Sequence, residues 1–150
     1  MKLFEKNTNS DYTIIIGCGI LGANIANTLS DAGENVLIMD EKKESFQLLS
    51  SNFGGLSIVG NGMDLDKLRE AHIERATGLI AVTENDNTNI MIALLAKEIF
   101  HVKQVVARLL DMDREIVYKG YDINTICPTV LSANEINKIL AGTPVRGVLA

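Results

Sequence analysis

Six short apolar runs punctuate the chain: Tyr12–Ile16, Asn35–Met39, Leu56–Val59, Leu79–Val82, Gln104–Ala107 and Asn124–Cys127. Most are continuous Ile, Val and Leu rather than apolar/polar alternation. That pattern predicts strands buried on both faces of a parallel sheet. Helical spacing fills the gaps. Ile20–Ala32 sets Ile25, Ala26 and Leu29 on one stripe, and Lys43–Asn52 groups Phe46, Leu48 and Leu49. Asn87–Phe100 is the most apolar helix, and Met112–Lys119 and Leu131–Leu140 follow. Strand alternating with helix implies an α/β fold: a doubly wound, six-stranded parallel sheet with helices on both faces. The punctuation agrees, with Ala32-Gly33 and Asn52-Phe53-Gly54-Gly55 as helix ends and Asp111 as an N-cap. One domain is expected over residues 1–140. Residues 141–150, with Gly142, Pro144 and Gly147, read as a tail or linker.

Composition narrows the class. In 150 residues, 47% are hydrophobic and 22% charged, which excludes a disordered chain. Two cysteines exclude a disulfide scaffold, and Cys18 and Cys127 without a CxxC fit a reducing cytoplasm. The net charge is −5, Trp is absent, and no basic run exceeds Lys42-Lys43. These features argue against a nucleic-acid partner or an anionic membrane surface. The first ten residues carry no apolar signal-peptide core. The uncharged stretch Tyr12–Ser30 holds three glycines, Asn24 and Asn27, so direct membrane insertion is not expected.

The segment Ile14-Ile15-Ile16-Gly17-Cys18-Gly19-Ile20-Leu21-Gly22 is a GxGxxG directly after a strand and opening a helix. In that context Gly17 permits a tight turn, Gly19 a close approach to a pyrophosphate, and Gly22 close helix–strand packing. The phosphates would rest on unsatisfied N–H groups and the positive end of the helix dipole. The fold is therefore expected to be Rossmann-like. Asp40 ends the second strand eighteen residues past Gly22, beside Glu41. An acid there accepts hydrogen bonds from ribose hydroxyls and repels a 2′-phosphate, so NAD(H) is favoured over NADP. The plainer reading is a tight turn and a capping aspartate. Cys18 is either activated by the helix N-terminus or simply a small residue filling the turn.

Three later loops fall at strand carboxyl ends and line the same crevice: Gly60–Asp64, Thr83–Asn89 and Arg108–Asp111. Gly60 and Gly62 let the chain pass near a base. Thr83 and Asn85 offer small hydrogen-bonding groups. Arg108 suits a phosphate, or alternatively pairs with Asp111 or Asp113. The acids Asp64, Asp66, Asp111 and Asp113 sit near helix starts, where capping explains them better than metal binding.

Taken together, IIIGCGILGANIA, VLIMD, VGNGMD, LIAVTENDNTNIMIALLAKE, VVARLLD and TICP resemble the N-terminal RCK, or KTN (TrkA-N), domain of Trk/Ktr-type potassium-uptake regulatory proteins. The likeness spans Tyr12 to about Leu140. It implies a cytoplasmic regulatory domain that binds NAD(H) or ATP/ADP, with AMP a further candidate, without transforming them. Ligand-dependent shape change in a dimer or larger ring would then control a Trk/Ktr-type membrane potassium transporter subunit, at the inner face of the membrane. By this likeness the pyrophosphate sits on Gly17–Gly22 and the ribose on Asp40. The base lies near Asn61, Gly62 and Met63, with Thr83 and Asn85 alongside, and Arg108 faces the phosphates. Leu131–Leu140 resembles a C-terminal crossover helix that builds the dimer. Ile20 stands where members often carry an arginine supporting a terminal phosphate, which favours NAD(H) over ATP. Thr129 follows Pro128 where many carry Glu, which argues against a metal site there.

The rival is the cofactor domain of an NAD-dependent oxidoreductase. That chemistry needs an acid/base group at the nicotinamide. Only His72 and His101 are available, and both read as surface residues. No Ser-His-Asp order, Tyr-x-x-x-Lys pair or metal-ligand cluster is present, so a non-enzymatic binding domain is the expectation.

Overall fold

The computed structural model describes residues 11–142; the first ten residues and 143–150, most of the expected tail, lie outside the described residues. Strands β1 (Tyr12–Ile16), β2 (Asn35–Asp40), β3 (Leu56–Val59), β4 (Gly78–Ala81), β5 (Gln104–Arg108) and β6 (Asn124–Ile126) form one sheet. Its order is β3-β2-β1-β4-β5-β6, and every pairing is parallel. The order reverses between β1 and β4, which opens a crevice at the carboxyl ends of those strands.

Alternation along β1 divides the core. Ile14 and Ile16 point to one face, with Leu37, Met39, Leu79 and Val105. Ile15 points to the other, with Val36, Ile38, Ala23 and Ala26. Because both faces are covered, the strands need no polar side, and this explains their unbroken apolar runs. Each fully buried Ile or Leu contributes about 1.5–3 kcal/mol relative to exposure. Helix α1 (Ile20–Asp31) covers one face, and α2 (Leu65–Glu70) and α3 (Asp86–Leu94) cover the other. The last helix, α4 (Pro128–Leu140), has no buried residue, and Leu140 is 79% exposed.

Several expected helices take other forms. Lys43–Asn52 is a 3₁₀ turn over Lys43–Leu48 that leaves helical geometry at Leu49. The Ser50 N–H is drawn to Asn27 Oδ1 at 2.9 Å and the Gly54 N–H to Ser30 Oγ at 2.8 Å, so the chain is pinned onto α1 instead of coiling further. Met112–Lys119 is a 3₁₀ segment, Met112–Tyr118. Ile116, Val117 and Tyr118 are poor helix formers, and Gly120 follows at φ +87°. Asn87–Phe100 divides into α3 and a π-helical turn, Leu95–Ile99, held by Phe100 N–H donating to Leu95 O. Lys97 Nζ adds bonds to the Lys103 carbonyl and Asp122 beyond that turn. Helix α2 is too short to show an apolar stripe, but Asp64 caps it through the Asp66 N–H at 2.9 Å. Asp111 caps its segment as expected, through the Asp113 N–H at 3.0 Å.

Candidate functional site

The glycine loop joins β1 to α1 at the crevice, and its three glycines answer to different constraints. Gly17 has φ +109°, and a Cβ there would lie 2.8 Å from the Val82 carbonyl oxygen. A Cβ on Gly22 would lie 1.8 Å from the Gly17 carbonyl oxygen. Both positions are closed by the protein's own backbone. Gly19 has φ −83°, and a Cβ there would meet no protein atom within 4 Å. The fold places no demand for glycine at position 19. Gly19 is also the N-cap of α1, so no side chain caps the helix, and no acid occupies its first turn. The positive end of α1 therefore meets the crevice with no capping side chain and no acid in its own first turn.

Asp40 closes the loop from the other side. Its Oδ2 accepts the Cys18 N–H at 2.8 Å and its Oδ1 accepts the Lys42 N–H at 2.8 Å. Each oxygen retains a further lone pair. Cys18 is 1% exposed, and its Sγ–H donates to the Ser45 carbonyl at 3.3 Å. Burial, and then the charge of Asp40, push the thiol up to about 11. The helix end does not activate Cys18; it is the small buried residue of the turn, and its thiol stays protonated at neutral pH.

A cavity of about 380 Å³ opens from the loop. That falls in the range of small-molecule sites. Its floor is apolar, from Ile16, Met39, Val82 and Ile92. Gly62 keeps the floor low, since a Cβ there would lie 2.5 Å from Ile16 Cγ2. Asn61 folds the adjoining loop by accepting the Met63 N–H at 2.9 Å. Among the described residues lining the cavity, the charged ones are Asp40, Glu41, Lys42 and Glu84. No lining group is a histidine or a cysteine–histidine pair.

A hydrogen-bond network backs the opposite wall. Asn89 is 0% exposed. Its Oδ1 accepts the Thr83 N–H at 2.9 Å and the Thr83 hydroxyl at 2.7 Å. Its Nδ2 donates to the carbonyls of Thr83 at 3.0 Å and Arg108 at 3.1 Å. Arg108 Nη2 donates to the carbonyls of Val82 at 3.0 Å and Thr83 at 2.8 Å, while its buried Nε has no partner. Asn85 accepts the Thr88 N–H at 3.0 Å as the N-cap of α3.

The TrkA-N domain matches residues 13–128 of this chain. The chain is 39% identical over 125 residues to the Trk system potassium uptake protein TrkA of Streptomyces coelicolor, covering 83% of this chain and 56% of that one. The chain belongs to the TrkA-N family. It spans about half the length of that curated relative. Among solved structures, the TrkA-N domain of the inner membrane protein ybaL from Escherichia coli superposes with a TM-score of 0.77 at 17% identity, over 87% of this chain and 97% of that one. The GsuK channel bound to NAD superposes at 0.74 and 24% identity, over 89% of this chain and 24% of that one. These two likenesses carry the fold.

Within this TrkA-N domain, ten of the residues expected at a site line one cavity: Gly17, Cys18, Gly19, Asp40, Glu41, Asn61, Gly62, Met63, Thr83 and Asn85. Four do not. Gly22 packs under the loop, and Leu21 packs against the α1-side core. Ile20 stands 85% exposed beyond the rim. Arg108 lies behind the wall and holds carbonyls, neither facing the cavity nor pairing with Asp111 or Asp113. Arg114 approaches Asp111 instead, at 3.8 Å. His72 and His101 both adopt left-handed backbone and neither lines the cavity. Three contributors were not expected. Lys42 and Ser45 come from the turn after β2, and Asn89 anchors the wall from the first turns of α3. A lone Asn inside a helix start normally signals only capping. Its burial depends on β5 arriving alongside.

Proposed function

We propose that this TrkA-N domain is a regulatory nucleotide-binding domain of a potassium-uptake system. NAD(H) is the favoured ligand, with ATP/ADP and AMP as alternatives, and the nucleotide is bound without being transformed. The observation that carries the reading is Gly19: it lines the cavity, yet nothing in the fold requires a glycine there. A ligand running against the backbone supplies the missing reason. The pyrophosphate would lie on the Gly17–Gly22 loop, on the N–H groups from Gly19 onward, since the Gly17 and Cys18 N–H groups already donate to the Met39 carbonyl and Asp40; Cys18, Ile20 and Leu21 contribute only backbone. The ribose hydroxyls would donate to the remaining lone pairs of Asp40, with Glu41 adjacent. The base would sit by Asn61, Gly62 and Met63, with Thr83 and Asn85 opposite.

The Trk name of the Streptomyces relative and the NAD- and ADP-bound structures of GsuK support this reading. Lys42 as the sole lining cation among the described residues supports a ligand without a terminal phosphate. Arg108 is set aside as a phosphate contact, because its guanidinium is committed to carbonyls. A cytoplasmic position, a second copy packed against α4, and a membrane potassium-transporter partner belong to the same proposal. So does a single domain over residues 1–140.

The test is thermal unfolding with NADH, NAD, ADP, ATP, AMP and NADPH, repeated with Asp40→Ala. A ligand at 100 times its Kd stabilises by about 2.7 kcal/mol. For a domain of this size that is a rise of roughly 5–11 °C. NADH or NAD should give the largest rise and NADPH the smallest, and Asp40→Ala should lose most of it. No rise with any of the six would refute the proposal. Steady NADH consumption with small carbonyl compounds would instead make it an oxidoreductase domain.

A further inference from the structure

The exposed segment after β5 is tied to the cavity rim by one carboxylate. Asn85 lines the cavity, and the next residue, Asp86, does not. The Asp86 side chain is 9% exposed. Its Oδ1 accepts the Leu110 N–H at 2.8 Å, and its Oδ2 accepts the Asp111 N–H at 2.9 Å. Arg114 Nε lies 4.0 Å from the same Oδ2. The start of α3 therefore cannot shift without either carrying the 110–111 backbone along or breaking two charge-assisted bonds. Behind it, Asn89 and Arg108 join Thr83 to the end of β5, so the two strand ends move as one body.

The strapped segment also carries an unsatisfied buried group. It ends at Tyr118, which is buried, and whose hydroxyl has no hydrogen-bond partner. Burial pushes that phenol up to about 12, and the nearby charge of Asp86 adds to the effect. A buried donor without an acceptor therefore sits in the field of a carboxylate already engaged by two amides. Donation from Tyr118 to Asp86 would exchange one set of bonds for another. Discrete alternatives of this kind, not continuous bending, carry coupling between sites. The segment that would move presents Leu110, Met112, Ile116 and Val117 to solvent.

We propose that Asp86 is a positioning residue that transmits nucleotide occupancy of the cavity to the exposed 110–118 segment. The proposal rests on the nucleotide-binding reading above. The test is amide hydrogen exchange of the full chain, alone and saturated with NADH or ADP, for the unmodified protein, Asp86→Ala, Asp86→Asn and Tyr118→Phe. In the unmodified protein, ligand should change exchange at 109–118 by at least about threefold, beyond the change at residues lining the cavity. Asp86→Ala should bind the same nucleotide with a Kd within about threefold, yet lose the change at 109–118. Asp86→Asn, which keeps one acceptor oxygen and the side-chain volume, should retain part of it. Tyr118→Phe should leave the unliganded pattern in place and reduce the ligand-induced change. Binding with an unaltered 109–118 segment, or an undiminished change in both Asp86 variants, would overturn the proposal. A flat titration with every nucleotide would overturn the nucleotide reading itself, and this one with it. If Asp86→Ala does not fold, Asp86→Asn and Tyr118→Phe decide the matter.

Discussion

On the β1–β2 side of the cavity, the backbone supplies the polar surface. Gly19 has no side chain, α1 has no cap, and Asp40 keeps two lone pairs after binding the Cys18 and Lys42 amides. On the β4–β5 side, the polar groups are engaged with one another. Asn89 uses both its oxygen and its nitrogen, and Arg108 clasps two carbonyls. The first side is open to a ligand at little cost, since its groups are not desolvated by protein. The second is closed on itself and serves as a rigid wall. A site needs both, because groups left free for a ligand must be held still by groups that are not.

The contrast breaks most visibly at the glycines. Gly22→Ala puts a Cβ onto the Gly17 carbonyl, where backbone has no room to yield. The expected loss is about 3 kcal/mol or more. That corresponds to a melting temperature lower by roughly 6–12 °C in calorimetry. Wild-type-like melting would show that α1 can slide, and that close packing is not what Gly22 provides.

Gly19→Asp should act in the opposite sense. The position is an extended N-cap with open space, where aspartate is preferred over glycine by a few tenths of a kcal/mol. The unliganded domain should therefore melt at the same temperature or slightly higher. The ligand-induced gain of about 2.7 kcal/mol at 100 Kd should vanish, because a carboxylate would occupy the place of the pyrophosphate. Retained nucleotide binding, read by titration calorimetry, would remove the central support for the proposed function.

Asn89→Ala tests the closed wall. It strands the Thr83 N–H and takes a donor from the Arg108 carbonyl, while the Thr83 carbonyl keeps Arg108 Nη2, with an expected cost of about 2 kcal/mol after partial rescue by water. Urea unfolding should show this as a lower midpoint with an unchanged slope. Nucleotide affinity should also fall, since Thr83 loses its anchor. A stability loss with unchanged affinity would mean that the wall holds the fold but not the ligand.

The two sides also differ in what could be read in advance. Gly17, Gly19, Gly22 and Asp40 belong to one local βαβ unit, where spacing along the chain dictates spacing in space. The strands were legible for a similar reason: two-sided burial demands unbroken apolar runs such as Ile14-Ile15-Ile16. Asn89 was not legible, because its role depends on β5 lying beside β4, a contact across nineteen residues to Arg108. The sequence offers Arg108 as a phosphate ligand or as a partner of Asp111 or Asp113, because a charged guanidinium fork suits an anion. Here the Val82 and Thr83 carbonyls reach it first. Three apolar positions predict a helix over Lys43–Asn52, but Asn27 on α1 claims the Ser50 amide and Ser30 holds the Gly54 amide just beyond it.

The smallest effect concerns Cys18, whose side chain on the open wall is turned into the protein. Its thiol is raised from an ordinary value of 9.0 to about 11, by burial first and by the charge of Asp40 second. A thiol with a raised folded pKa favours the folded state below the unfolded value and loses that contribution as pH rises. The contribution is therefore complete below pH 9 and declines between pH 9 and 11. Tyr118, raised to about 12, declines over a higher window and is present in both proteins of the comparison. Subtracting the pH profile of Cys18→Ala from that of the unmodified domain should leave a line flat up to pH 9 and falling above it. Native Cys18 should also resist iodoacetamide at pH 8, because the reactive thiolate is scarce and the sulfur is 1% exposed. A difference line that falls already below pH 8, with fast alkylation, would mean that the open end of α1 reaches the sulfur as it is proposed to reach a phosphate. The division between an engaged side chain and a free backbone would then fail at the loop itself.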